Sequence, residues 1–351
     1  MTFVRLAPEQ FDTIPEIAEP AENPVLVGHD EAATQLATAY RSGKLHHALL
    51  LAGPPGIGKA TLAFHIAHHL LSNPDASIAP ETLQPMDATS PLFRQVAQGS
   101  HPAVLHLTRP MNDKTKAFKS VVTVDEIRRV TRFLSMTSHN GAYRIAIVDP
   151  ADDMNVNAAN ALLKNLEEPP PRTLFILIAH SLGSLLPTIR SRCQLIKLKP
   201  LEDAALVNVL ANLDAEMPDD AGQRAELARR AGGSVRDALL MTQFGGLDIT
   251  DAMTRVVIAG RFDVQQAWRV AEAVSGRDAT IQFDIFNQAA LDMIAGWARE
   301  AAAAGQLDAA AAHADLWREA DRLVNETNTY NLDKKQHVNG MLRRMWQALA
   351  G

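Results

Sequence analysis

The stretch LLLAGPPGIGKATLA, residues 49–63, decides the fold. Its apolar first part has the length of a buried strand, its glycines form a turn, and a helical pattern begins near Lys59. The spacing G-x-x-x-x-G-K lets successive backbone N–H groups converge on an anion, and a helix N-terminus and a lysine charge add to that attraction. The stretch therefore predicts a phosphate-binding loop with Gly53, Gly56, Gly58 and Lys59 as ligand-binding residues.

The loop departs from the usual motif directly after the lysine. A serine or threonine hydroxyl at that position binds the magnesium ion of a bound nucleotide, whereas this chain has Ala60. Thr61 follows one residue later, which on a helix places it about 100° away around the axis. We count both residues among the nucleotide-contacting positions and expect the magnesium-binding hydroxyl to be missing. The alternative is a Gly-Pro turn that merely ends a buried strand.

Composition indicates an ordinary globular chain with room for two or three domains. It has 351 residues, of which 47% are hydrophobic and 21% charged. The sequence contains no apolar run near the ~20 residues that span a bilayer and no signal-peptide pattern, so we expect a cytoplasmic protein without a membrane partner. The net charge of −6 argues against general coating of nucleic acid. A single cysteine excludes an internal disulfide and any multi-cysteine zinc site.

Short apolar runs alternate with helical patterns in the first two thirds of the chain, which predicts an α/β core with a parallel sheet. We expect a flexible N-terminal extension over 1–23, the core over 24–200, a helical lid over 201–248 and an all-helical bundle over 249–351. Residues 72–101 show little pattern and are interpreted as a surface excursion. The strands are expected at residues 48–52, 101–107, 143–149, 174–179 and 194–198.

Two further motifs follow the loop. Residues 162–170 read LLKNLEEPP, and residues 190–193 read RSRC. Together with a strand that ends in Asp149, this order of motifs resembles the clamp-loader branch of the AAA+ proteins. The resemblance is clear over about 24–245 and weaker in the C-terminal bundle. It implies an AAA+ P-loop core with a five-stranded parallel sheet, a small helical lid and a C-terminal helical collar for oligomerisation.

The resemblance also implies a role for individual residues. Lys59 and its glycines match the nucleotide loop, and Asp149 matches the first acidic residue of the second magnesium motif. Arg192 matches an arginine finger that reaches the ATP of a neighbouring subunit, where a guanidinium stabilises charge developing on the transferred phosphate. Arg236 matches the second sensor on the lid. The implied cofactor is ATP or ADP, and the implied partners are other loader subunits (gamma/tau and delta), the sliding clamp and primed DNA.

Several departures from the family pattern argue against hydrolysis. Active members place a glutamate after the motif's aspartates to orient water, whereas this chain has Pro150, which cannot act as a base. Asp152 and Asp153 lie further along, where we expect the next helix, and are poor replacements. The first sensor, usually Thr or Asn, falls at His180. The family's four-cysteine zinc module has no counterpart in residues 72–120, so we expect no metal.

Three functions remain open on the sequence. The first is a non-hydrolysing clamp-loader subunit of the bacterial replicative DNA polymerase III, which completes the loader ring and donates Arg192 to its neighbour. Whether this subunit binds nucleotide stays open on the sequence. The second is an active motor subunit of the same loader, and the third is an unrelated P-loop kinase or nucleotide enzyme. Arg192 also has a structural explanation as a surface ion-pair residue, and Asp149 as a helix cap. Cys193 is expected to be a buried small hydrophobe.

Overall fold

The computed structural model describes residues 4–112, 114, 117–135 and 143–350. Its centre is a five-stranded sheet in the order β2-β3-β4-β1-β5, in which all neighbouring strands pair in parallel. The sheet confirms the predicted α/β core, although β2 begins three residues later than the sequence pattern indicated. The strands are β1 (Ala48–Ala52), β2 (Val104–Leu107), β3 (Arg144–Val148), β4 (Thr173–Ala179) and β5 (Gln194–Lys197).

Helices connect the strands and make up all the later regular structure that is described. They are α1 (Asp30–Arg41), α2 (Lys59–Ser72), α3 (Pro91–Ala97), α4 (Val124–Ser135), α5 (Val156–Glu167), α6 (Pro187–Arg190), α7 (Asp203–Asn212), α8 (Ala221–Ala231), α9 (Val235–Gln243), α10 (Gly246–Val257), α11 (Val264–Val274), α12 (Thr280–Ala303), α13 (Leu307–Tyr330) and α14 (Lys334–Ala350). Short 3-10 turns lie at Pro20–Glu22, Ala76–Ile78, Ala151–Asp153 and Leu182–Ser184.

Both faces of the sheet are covered, and β1 and β4 are buried along their whole length. Successive side chains of a strand point to opposite faces. Leu49 therefore packs with Leu62 of α2, whereas Leu50 packs with Ile127 of α4 and Leu162 of α5. This arrangement explains the continuous apolar runs in the sequence, because neither face of these strands meets water.

Two segments are more ordered than their composition indicated. The interpretation of residues 72–101 as a surface excursion is wrong in part, because α3 lies within it and buries Phe93 and Val96. The N-terminal extension was expected to be flexible, yet Ile14 and Ile17 are each 8% exposed. Each segment has only a few apolar residues among many polar residues and prolines, so its sequence shows no clear pattern. Those few apolar residues pack against the rest of the chain.

The chain divides into two compact units, Met1–Asp237 and Ala238–Gly351, and the division falls within α9. In the second unit, helices α10 to α14 pack around an apolar core that includes Phe286 and Leu342. No strand follows β5 in the part of the chain that the structure describes. The separate lid over 201–248 stays a prediction. Within the described ranges, no helix has both the length and the apolar character needed to cross a membrane.

Leu201 connects the sheet region to the helices that follow it in the first unit. Its N–H donates to the Gly233 carbonyl at 3.1 Å. A Cβ atom on Gly233 would lie 2.6 Å from the Leu201 nitrogen, and one on Gly28 would lie 2.5 Å from the Leu201 side chain. Glycine is required at both positions because the chains approach Leu201 too closely for a side chain.

Candidate functional site

The phosphate loop lies between β1 and α2, as predicted. Gly56 and Gly58 have φ angles of +74° and +94°, which side chains other than glycine rarely tolerate. A Cβ atom on Gly53 would lie 2.5 Å from the Leu198 carbonyl oxygen. Glycine is therefore required for two reasons. Gly56 and Gly58 adopt left-handed backbone conformations, and Gly53 lies too close to Leu198, the residue after β5, to carry a side chain.

The N-terminus of α2 presents backbone donors to the loop. The first backbone bond at this end of the helix runs from the Leu62 N–H to the Gly58 carbonyl at 3.0 Å. The preceding N–H groups, at 59–61, have no partner one turn back in the helix. His29 supports the loop from below, since its Nε2 lies 2.7 Å from the Ile57 carbonyl and must donate to it. This arrangement suits a phosphate group.

Lys59 is directed back into its own loop. Its ammonium group donates to the Gly53 carbonyl at 2.7 Å and also to the Pro54 carbonyl. The residue is only 3% exposed, and burial lowers its pKa to about 8 against the opposing effect of Asp149 and Asp152. The lysine charge that the motif offers to a phosphate is thus engaged by backbone oxygens of the loop.

The position after Lys59, where a hydroxyl would bind magnesium, is occupied by Ala60. Ala60 packs against the apolar core cluster next to β1 and supplies no oxygen. Thr61 is half-buried in the first turn of α2. Among the described residues, no group of three or more His, Cys, Asp or Glu side chains is arranged to hold a metal ion.

Asp149 follows β3 and is joined to the sheet edge by its N–H, which donates to the Leu107 carbonyl at 2.9 Å. Burial raises the pKa of this carboxyl to about 8; the Asp12 carboxylate raises it further and Lys59 opposes the change. Burial of this carboxyl thus opposes the ionised form that a metal ion would bind.

Asp152 and Asp153, expected on the next helix, lie on the short 3-10 helix Ala151–Asp153, which precedes α5. Asp152 accepts the N–H groups of His180 and Ser181 at 3.0 and 2.8 Å, and Asp153 pairs with Arg109 at 2.5 Å. Both carboxylates are thus engaged in local structure. His180, the expected first sensor, takes part through its backbone N–H.

Arg236 lies in the first turn of α9, directly over the loop. The Val235 N–H donates to the Gly56 carbonyl at 2.9 Å, and a Cβ atom on Gly56 would lie 2.7 Å from the Arg236 Cβ. The Arg236 guanidinium donates to the Asp12 carbonyl, and its Nη1 lies 3.8 Å from the Asp12 carboxylate. Sequence reasoning missed Asp12, because no local pattern links a residue of the N-terminal segment to a helix 224 positions away.

Arg192 lies apart from these groups, two residues after α6. Its Nη1 donates to the Thr188 carbonyl at 2.9 Å, and its Nη2 pairs with Glu167 at 2.6 Å. About a third of the side chain is exposed. No contact joins Arg192 to the phosphate loop in the described residues. The adjacent Cys193, predicted to be buried, is only partly buried and packs against the apolar core, and desolvation raises the pKa of its thiol to about 12.

The loop residues fit a phosphate group but lack the hydroxyl that would hold magnesium beside it. The glycine turns and the start of α2 supply the backbone cradle, whereas Ala60 supplies no metal ligand and the Asp149 carboxyl is buried. A parallel sheet in this order, with a phosphate loop after β1 and a helical element over that loop, defines an AAA+ P-loop core.

Comparisons with known proteins place that core in a family. Residues 28–202 match the family described as "DNA polymerase III, delta subunit". The match covers about half of the chain and spans the whole five-stranded sheet. This match confirms the predicted resemblance to clamp-loader subunits.

The relatives it resembles are bacterial. Delta-prime of Pseudomonas aeruginosa is 38% identical over 189 residues, which are 54% of this chain and 53% of that protein. Delta-prime of Escherichia coli is 32% identical over 213 residues, covering 60% of this chain and 58% of that protein. The tau subunit of Escherichia coli is 27% identical over 272 residues, with coverage of 76% and 40%. The chain spans about half the length of these relatives.

A search of solved structures found a gamma subunit-related protein of DNA polymerase III from Thermotoga maritima. It is 17% identical in sequence, with a TM-score of 0.46, and the match covers 91% of this chain and 98% of that one.

Proposed function

We propose that this chain is a subunit of a bacterial DNA polymerase III clamp loader and that it acts there as the delta-prime subunit. It completes the loader ring beside gamma/tau and delta subunits and supplies Arg192 to a neighbouring ATPase site. Through the complex it acts with the sliding clamp and primed DNA. It does not hydrolyse ATP itself, and ATP or ADP is at most a bound ligand.

The position of Arg192 is the observation that carries this proposal. Its guanidinium is held at the protein surface by Glu167 and the Thr188 carbonyl, and part of it faces outward. A guanidinium with one planar edge anchored and the rest accessible suits recognition of a phosphate that belongs to another subunit. The cation of the chain's own loop, Lys59, is instead directed to backbone oxygens.

Two positions in the chain lack groups that hydrolysis requires. Ala60 offers no hydroxyl to magnesium, and Pro150 replaces the residue that would orient the attacking water. Asp152 is the nearest alternative carboxylate in sequence, and it is held by two backbone N–H groups. The phosphate cradle thus keeps what binding requires and lacks what catalysis requires.

An active motor subunit is the second candidate. The observation in its favour is the preserved cradle, with Gly56 and Gly58 in left-handed conformations before the N-terminus of α2. This candidate requires a water-orienting group, and Asp152 could serve only after leaving the His180 and Ser181 N–H groups.

Reconstitution tests the proposal. A loader is assembled from this chain with gamma or tau and delta subunits, and its ATPase rate is measured with clamp and primed DNA. We expect Arg192→Ala to lower that rate, because an arginine finger contributes ~10³–10⁵ at the site it serves. The matched control is Arg190→Ala, which removes an exposed arginine two residues away. Equal rates for the two variants would contradict the proposal.

The isolated chain provides the second measurement. We expect no ATP turnover above background. Turnover of about 1 s⁻¹, abolished by Lys59→Ala, would establish the motor-subunit alternative instead.

A further inference from the structure

We infer that residues 4–23, here called the N-terminal strap, are an internal occupant of the phosphate site, in which Asp12 engages Arg236 and lies among the groups that face a terminal phosphate. A nucleotide therefore enters the loop only by displacing Asp12. This inference concerns the chain's own loop and holds whether or not Arg192 acts on a neighbour.

The strap has its own internal structure. Arg5 pairs with Glu19 at 2.6 Å and donates to the Ile14 carbonyl at 2.9 Å. The Thr13 hydroxyl donates to the same Glu19 carboxylate at 2.5 Å. Ile17 is buried beneath this network. These contacts involve residues before and after Asp12 in the sequence. They hold the backbone of the strap in place on either side of Asp12.

A second set of contacts fastens the strap to the edge of the sheet. The Thr108 hydroxyl donates to the Gln10 side chain at 2.6 Å, and the Arg109 guanidinium lies 4.2 Å from the centre of the Phe11 ring. Thr108 and Arg109 directly follow β2. Ligands of open α/β sheets bind at the carboxyl ends of the strands, and the strap crosses that end.

Asp12 is directed from the strap into the charged groups around the loop. Its backbone carbonyl accepts a bond from Arg236, and its carboxylate lies 3.8 Å from the same guanidinium. After burial, the Asp12 charge is the next-largest cause that raises the pKa of Asp149.

The chemistry of Asp12 explains how it would compete with a nucleotide. A carboxylate and a phosphate are both anions that accept hydrogen bonds from a guanidinium, so Arg236 serves one or the other. The Asp12 charge also repels a phosphate that approaches Arg236, and because the Asp12 side chain is 46% exposed, salt screens part of that repulsion. Arg236 therefore holds α9 over the loop through an internal partner.

Nucleotide titration tests the inference on the full chain. Binding of a fluorescent ADP analogue is measured with magnesium for the unmodified chain and for Asp12→Asn, which removes the charge and keeps the side-chain size. We expect the variant to bind about tenfold more tightly, the usual scale of such coupling. The matched control is Glu9→Gln, which removes an exposed strap charge and should leave affinity unchanged.

A second variant keeps the test decisive if Asp12→Asn alters folding. Phe11→Ala removes the contact with Arg109 and loosens the strap beside Asp12. Hydrogen exchange of residues 5–23 provides an independent readout, because a bound nucleotide should speed exchange there. The inference is overturned if neither variant binds more tightly than the unmodified chain, or if nucleotide binds while exchange in the strap is unchanged.

Discussion

Arg192 and Glu167 form an ion pair with 2.6 Å between Nη2 and Oε1. Glu167 is the last residue of α5, and Arg192 follows α6. The pair thus joins the LLKNLEEPP motif to the RSRC motif, which are separate in the sequence. The Glu167 side chain is 48% exposed and the Arg192 side chain is 35% exposed. An exposed pair of this kind contributes little to stability, so its importance lies in orienting the guanidinium.

Replacing Glu167 should separate orientation from stability. We expect Glu167→Ala to change the free energy of unfolding by less than about 1 kcal/mol. The same variant should reduce the ATPase rate of the reconstituted loader, by less than Arg192→Ala does, because the Thr188 carbonyl still holds Nη1. Glu168→Ala, which removes the neighbouring exposed carboxylate, is the control and should have no effect on the rate. Full activity of Glu167→Ala would show that the pair does not orient Arg192.

Gly56→Ala should destabilise the first unit through two effects. Its φ of +74° disfavours alanine by roughly 1–2 kcal/mol, and the added Cβ would contact Arg236. Gly43→Ala is a matched control, since its φ is +68° and a Cβ there would meet nothing within 4 Å. Urea unfolding should show the larger loss for Gly56→Ala. Equal losses would mean that α9 yields to the new methyl group without cost.

The folded chain should become less stable as the pH falls, because His65 is buried. Its ring is 2% exposed and its Nε2 lies 3.1 Å from the Asn23 carbonyl. Burial lowers its pKa to about 4, so the unfolded chain takes up a proton near the ordinary pKa while the folded chain does not. The stabilisation is thus complete above about pH 6.5 and is lost as pH falls towards 4, with a loss of about 2 kcal/mol by pH 5.

The His65 contribution can be isolated with His65→Gln, which keeps an N–H donor for Asn23. Unfolding free energies at pH 7 and pH 5 should differ less for the variant than for the unmodified chain. An identical difference for both would assign the acid sensitivity to other groups.

Cys193 should react slowly with alkylating reagents. Burial raises its pKa to about 12, and the thiolate is the reacting form. At pH 8 we expect alkylation by iodoacetamide to be about 10³ slower than for an exposed cysteine of ordinary pKa. Unfolding in urea should restore the ordinary rate. Rapid alkylation of the folded chain would show that the thiol is accessible and ionised.

Sequence reasoning predicted the sheet because its strands are buried on both faces. The two central strands β1 and β4 are continuous apolar runs, such as Ala48–Ala52, and such runs need no knowledge of distant contacts. α3 was missed although a local signal exists: Ser90 accepts the Phe93 N–H and Pro91 begins the helix. That start signal was hidden by the polar residues around it.

The candidate site was predictable only where its geometry is local. The glycine spacing around Lys59 specifies the cradle, because neighbouring residues build it. The direction of the Lys59 side chain and the contact of Arg236 with Asp12 depend on elements that meet only in the folded chain. Periodicity and composition contain no information on contacts between residues that are distant in the sequence. The sequence therefore predicted a flexible segment where the strap lies.

Leu201 gives the helices after the sheet a fixed attachment. Its main chain is bonded to Gly233, and its side chain fills the space that a Cβ on Gly28 would take. These contacts join the segment that leaves β5 to the turn between α8 and α9. A methyl group on either glycine would push Leu201 away from its position and separate the two segments.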